Sequence, residues 1–273
     1  MARPLRARTA LWGSSFILFC CLCACRSGDA DLLSRAESEA LSQRTQLADH
    51  LFSRIILKHA QKDAVRERAF IGLIRLNLDQ LHDYPRAVKL TEQLQQEFVD
   101  LHNRSKVNRD LLFEVAGVAR QQLSEPDRAE SILIFTKDRK DLTARESLEI
   151  SETFLASRNF DTAIESFQQA FSLALAEKNC ALAREIQAEI MHALALAKKC
   201  GQSVEWGEKE LFEGCSPNLY SVRIELAYCY EREGAPEKAL SLYEQMLKEE
   251  PVNARVLFLQ SQLKTRQKEK GMK

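Results

Sequence analysis

Glycine and proline are scarce in this chain, with 9 and 6 among 273 residues. A protein rich in tight turns, a β-sandwich or a barrel needs more of both. Dense metal spacings are missing too. The five histidines are His50, His59, His82, His102 and His192. None forms HExxH, and His50 and His59 stand nine apart, which does not share one helical face well. There is no GxSxG, no phosphate-cradling GxxxxGK[ST] and no GxGxxG. Charge of one sign is also missing, since 39 basic residues meet 39 acidic ones. That balance argues against a nucleic-acid partner. Without a catalytic constellation, the chain reads as non-enzymatic and requires no cofactor or metal.

What is present is helical. Long segments rich in Ala, Leu, Glu, Gln and Arg carry apolar residues at helical spacing, and the expected fold class is all-α. The one markedly apolar run lies at 16–25, Phe-Ile-Leu-Phe-Cys-Cys-Leu-Cys-Ala-Cys. Arg3, Arg6 and Arg8 precede it, and the first carboxylate is Asp29. A basic start and a short apolar run describe an export signal. The run is shorter than the roughly 20 residues a bilayer span needs. Leu22-Cys23-Ala24-Cys25 resembles the bacterial lipobox, with an apolar residue, a small residue and then cysteine. That resemblance implies cleavage after residue 24 and a lipid on Cys25. It leaves a chain with 36 basic residues against 39 acidic ones. Arg26, not aspartate, follows the cysteine, which leans toward the outer membrane, facing the periplasm.

Four cysteines remain beyond the signal: Cys180, Cys200, Cys215 and Cys229. They contain no CxxC, so buried free thiols and a bridge are both open. If one bridge exists, Cys180 with Cys215 is the expected pair, because both should fall at the open end of one helical hairpin.

Self-similarity organises the rest of the chain. Residues 220–253 carry Leu226-Ala227, Tyr230, Gly234, Ala239, Tyr243 and Pro251. Leu226, Ala227 and Tyr230 share one helical face. Ala227 and Ala239 are small where two helices cross, Gly234 suits a turn, and Pro251 ends the second helix. This pattern resembles the tetratricopeptide repeat. A second unit, 144–177, places Ile150, Ser151, Phe154, Phe160, Ala163, Phe167 and Ala170 likewise, with Arg158 in place of the turn glycine. Less complete units centre on Ala87, Ala129 and Gly207. Of the four gaps between their second-helix small residues, two lie near the family's 34 residues and two are about ten longer, which implies longer helices or loops.

The resemblance implies a right-handed solenoid of about five to six antiparallel helix pairs. The expected organisation is a signal peptide over 1–24, a lipidated cysteine and tether over 25–30, a repeat domain over 31–263, and a basic tail over 264–273. In the family, one face of each first helix lines a concave groove that holds partner segments. The matching residues here are Leu148, Glu152, Leu155, Ile224, Tyr228 and Glu231, with Glu114, Val118, Gln121, His192, Leu196 and Lys199 from the less complete units. This lining mixes apolar and charged groups and suits an amphipathic or extended segment. The Lys/Asn clamp that some family members use for a terminal carboxylate is absent, since Ile224, Leu148, Tyr228 and Glu152 occupy its places. The expected function is a membrane-anchored interaction scaffold for other envelope proteins. The alternative is a transporter-associated or solute-binding protein with a ligand held between repeats.

Overall fold

The computed structural model describes residues 28–59, 61–98, 106–208 and 220–271. All the regular structure among them is helical, in keeping with the expected class. The chain divides between Glu125 and Pro126 into two compact units. The sequence pattern alone reads residues 31–263 as one run of repeats.

The first unit contains α1 (28–41), α2 (Thr45–Lys58), α3 (Ala64–Leu76), α4 (Tyr84–Glu97) and α5 (Lys106–Gln121). The second contains α6 (Pro126–Leu133), α7 (Ala144–Ala156), α8 (Phe160–Ala176), α9 (Cys180–Leu196), α10 (Cys200–Gly207), α11 (Tyr220–Arg232), α12 (Pro236–Glu249) and α13 (Ala254–Gly271). Most of the described connections are short turns, and the long-range packing within each unit is mostly between chain neighbours.

One turn recurs with little help from glycine. Gln43, His82, Ser124, Arg158, Lys178, Lys198 and Gly234 all have φ between 52° and 77°, and each follows a helix that turns back on itself. In the second unit these residues close a double hydrogen-bonded cap. Lys178 N donates to Leu175 O and Asn179 N to Ala174 O, at 3.0 and 2.9 Å. Arg158, Lys198 and Gly234 repeat the scheme. Only Gly234 is the residue that left-handed backbone favours, so the motif is faint in the sequence.

The next helix then starts with its own cap or proline. Asp63 accepts from Val65 N and Arg66 N at the start of α3. Thr143 and Glu146 form a reciprocal capping box on α7. Asn179 accepts from Leu182 N on α9. Pro126 and Pro236 open α6 and α12, where the missing N–H costs nothing.

The fourth residue of each following helix is small and fully buried: Ala48, Ala87, Ala129, Ala163, Ala183, Ser203 and Ala239. Helices approach closely there. Ser203, not Gly207, therefore holds the small-residue place in α10. Gly207 ends that helix instead, under Met191 and Leu226, where an added Cβ would lie 2.7 and 2.9 Å from their side chains. This register makes the repeat spacing more even. The long interval from Ala163 to Ser203 comes from α8 and α9, which are 17 residues each. In the first unit a π-turn, Asn77–Leu81, extends α3. The buried Asn77 side chain there donates to Leu73 O at 2.7 Å.

Aromatic and branched residues fill the interiors. Phe52, Phe70, Leu73, Ile74, Leu94, Leu111 and Leu112 are buried in the first unit; Phe154, Phe167 and Phe171 are buried in the second. Trp206 meets Phe171 edge to face at 5.2 Å, consistent with a packing role. The helix α13 runs on through the basic residues that the sequence suggests as a separate tail.

Candidate functional site

Three first helices of the second unit, α7, α9 and α11, stand in succession and build a polar face. Glu152 comes from α7, Glu185, Glu189 and His192 from α9, and Glu225 from α11. Burial raises the Glu189 carboxyl above the usual range; nearby His192 opposes this, and the like charges on Glu152, Glu225 and Glu185 add to it. His192 Nδ1 lies 3.4 Å from Glu225 Oε1. That hydrogen bond raises the imidazole's pKa, burial counteracts it, and the charges on Glu225 and Glu189 reinforce it. Arg145 reaches across from α7 to Glu185 at 3.3 Å.

One helical turn beyond Glu152, His192 and Glu225 lie Leu155, Leu196 and Tyr228, at i+3 or i+4 from each. Leu155 is half-buried. Leu196 and Tyr228 are 47% and 39% exposed. A solvent-open cleft of about 460 Å³ lies between Leu196 and Tyr228, lined also by Ala195, Lys198, Cys200, Arg232 and Glu233. Arg232 stacks on the Tyr228 ring at 5.2 Å and donates from Nε to its hydroxyl at 3.1 Å. The two side chains hold each other upright at the cleft wall.

The expected groove residues divide. Glu152, Leu155, His192, Leu196 and Tyr228 come together on this face. Lys199 turns to Asp161 of α8 at 2.8 Å, and Glu231 pairs with Arg266 of α13 at 3.1 Å. Leu148 and Ile224 are 1% and 7% exposed, so they fill the interior instead of facing a partner. Ile224 packs in a cluster with Ala227, Ala239 and Tyr243. Glu114, Val118 and Gln121 belong to the first unit. There Glu114 accepts from Arg75 of α3 at 2.7 Å, Val118 is half-buried and Gln121 exposed. Sequence reasoning missed Glu185, Glu189 and Glu225. Their signal was present: glutamates at i and i+4 on α9, and another three residues before Tyr228.

The first unit has its own open cleft of about 620 Å³, lined by Ile56, Lys62, Arg66, Phe70, Gln93 and Glu97 among others. Arg66 is already committed there. It holds Glu97 with two hydrogen bonds, at 2.6 and 2.8 Å, and donates to the carbonyls of Ile56 and His59. Among the described residues, no group of three or more His, Cys, Asp or Glu is placed to hold a metal. No helix among them is long and apolar enough to cross a membrane.

Cys180 is disulfide-bonded, while Cys200 and Cys229 are buried free thiols. Burial chiefly pushes the Cys229 thiol up to about 12, against the Ser203 hydroxyl and with the neighbouring Cys200 thiol. Cys215 and Cys25 lie outside the described residues, as do the signal and the tether up to residue 27; residues 28–30, expected as tether, already belong to α1.

The fold and this face together define a helical-hairpin repeat of the tetratricopeptide type. Residues 223–252 match the tetratricopeptide repeat family. No curated protein sequence matches the chain significantly. Among solved structures it is similar to YrrB, a TPR protein with an unusual peptide-binding site. The identity is 13%, over 77% of this chain and 97% of that one, with a TM-score of 0.52. It is also similar to MamA, at 14% identity over 69% of this chain and 94% of that one, with a TM-score of 0.51. At such identities the likeness shows the fold alone.

Proposed function

We propose that this chain is a lipid-anchored scaffold that gathers envelope proteins by holding their segments against the α7–α9–α11 face. The observation that carries the reading is the open cleft between Leu196 and Tyr228. Both are large apolar side chains left exposed on a tetratricopeptide-type face, where burial by a partner is favourable. The YrrB likeness adds a precedent, since that protein has a peptide-binding site on the same fold. Both described clefts are open to solvent and mixed in polarity, which favours docking of a protein segment over enclosure of a small solute.

The anchor rests on the lipobox-like Leu22-Cys23-Ala24-Cys25. A lipid there tethers the repeats close to a bilayer, with the outer membrane, facing the periplasm, as the proposed site. Because one acyl chain binds only marginally, the multiple chains of a lipidated cysteine make the attachment stable. The function has two separate tests. Cys25→Ser should move the protein from the membrane pellet to the soluble fraction; a variant that pellets as before removes the anchor. Tyr228→Ala and Leu155→Ala should each weaken a co-purified envelope partner by about 1–2 kcal/mol with helicity intact. Unchanged affinity in both would remove the docking face.

A further inference from the structure

Beneath the Leu196–Tyr228 cleft lie two sulfurs that the docking face does not use. Cys200 is the first residue of α10, and Cys229 lies in the last turn of α11. Both are free thiols, 6% and 0% exposed. They meet in a side-chain hydrogen bond, with the Ser203 hydroxyl also bonded to Cys229. Ser203 donates in turn to Met191 O at 3.1 Å, which fixes this corner against α9. Two sulfurs from successive helices are thus held in contact. A covalent bond between them requires closure to about 2 Å.

The pair is asymmetric. Cys200 lines the cleft, where a small solute reaches it, whereas Cys229 is sealed behind it. The wall around Cys200 carries Lys198 and Arg232 against Glu233. The Arg232 guanidinium lies close enough to Cys200 for their charges to interact. The helix N-terminus adds a positive pole at the same sulfur. Such surroundings stabilise negative charge on a sulfur as it attacks and on an oxygen as it leaves. Burial chiefly pushes the Cys229 thiol up to about 12, so Cys229 is the poorer first attacker. The chain already carries a disulfide at Cys180, a bond that persists in oxidising surroundings.

We propose that Cys200 and Cys229 form an oxidation site for small hydroperoxides, with Cys200 as the attacking sulfur and Cys229 as the resolving one. The Cys200 sulfur takes one peroxide oxygen, the O–O bond breaks, and a sulfenic acid forms. The other oxygen leaves as hydroxide and takes the Cys200 proton. The Cys229 sulfur then attacks the Cys200 sulfur. The S–S bond forms, the S–O bond breaks, and the departing hydroxide takes the Cys229 proton. Two thiols and one hydrogen peroxide become one disulfide and two waters, with two electrons passing from sulfur to oxygen. The new bond ties α10 to α11 under the cleft. This inference is independent of the scaffold reading, and its test does not bear on whether a segment docks.

The test treats the folded full-length protein, isolated anaerobically, with equimolar hydrogen peroxide. Free thiols are then alkylated, and the unreduced tryptic digest is read by mass spectrometry. Cys200 and Cys229 fall in separate peptides, 200–209 and 224–232. The two should appear joined to each other. Cys229→Ser should stop at the sulfenic acid, trapped by dimedone on peptide 200–209. Cys200→Ser should leave Cys229 a free thiol. Circular dichroism confirms that each variant is folded, and the wild-type linkage is read without any substitution. Recovery of both wild-type peptides as free thiols, or of either joined to a different cysteine, would overturn the proposal. So would oxidation of Cys229 in Cys200→Ser at the wild-type rate, because Cys200 would then not lead.

Discussion

His59 shows how much one side chain can join. It is buried at the end of α2 and bonded on both sides, from Nδ1 to Asp29 at 2.8 Å and from Nε2 to Asp63 at 2.9 Å. The bridge ties the start of α1 to the cap of α3. Burial opposes the imidazolium, but hydrogen bonds and the charges of Asp29 and Asp63 outweigh it, so the pKa is raised above 6.5. Asp63 moves the other way. Burial works against its charge, yet the His59 bond, backbone N–H groups and the His59 charge hold its carboxyl below 3.8. The signs follow by linkage. The His59 contribution is fully present below pH 6.5 and is lost as pH rises through its higher folded value. The Asp63 contribution is present above pH 3.8 and is lost as pH falls through its lower folded value. The pair therefore stabilises most between about pH 4 and 6.5. The urea midpoint of the wild type should fall from pH 6 to pH 8.5, and His59→Gln should flatten that difference. An equal slope in the variant would assign the pH dependence elsewhere. Nothing in the sequence marks His59 for this, since its partners lie 30 residues before and four after. At the same scale Tyr228, Glu152 and His192 were legible as residues of one partly open face from helix position alone. Leu148 and Ile224 were not, because their place on the face is covered by neighbouring helices that a single-helix count ignores.

The elements themselves were easier to read than their joints. Apolar periodicity and the small residues of second helices marked the hairpins, and the long gaps anticipated the long α8 and α9. The turns were obscure because left-handed residues here are mostly Lys, Arg, Gln, His and Ser, where the repeat leads one to expect glycine. An L-residue in that conformation carries strain that glycine avoids. Lys178→Gly should therefore raise stability by about 0.5–1 kcal/mol, the strain relief exceeding the added entropy of the unfolded chain. Gly234→Ala should lower it by about 1 kcal/mol. Its added Cβ meets nothing within 4 Å, so backbone strain is the only cost. Urea denaturation of both variants checks the pair. Loss of stability in Lys178→Gly would show that the lysine side chain supports the turn in a way the backbone argument omits. The misplaced small residue of α10 has a related origin. Glycine is the smallest residue, and Gly207 drew the register away from Ser203, whose hydroxyl is fully buried and donates to Met191 O at 3.1 Å.

At the scale of the whole molecule, the all-α class and tetratricopeptide character were legible, because they depend on patterns repeated along much of the chain. The division at Glu125–Pro126 was not, since it reflects where few contacts cross and not what any residue is. The acidic row was likewise hidden, because its members come from three helices and only the fold places them side by side. The account's central claim is that the α7–α9–α11 face receives a segment of another protein. Site-specific photocrosslinking in native membranes tests it most directly, with the crosslinker replacing Tyr228 in the groove or Glu165 on α8. The account predicts a discrete protein adduct from position 228 and none from position 165. Adducts from 165 but not 228, or no adduct at either position, would contradict it.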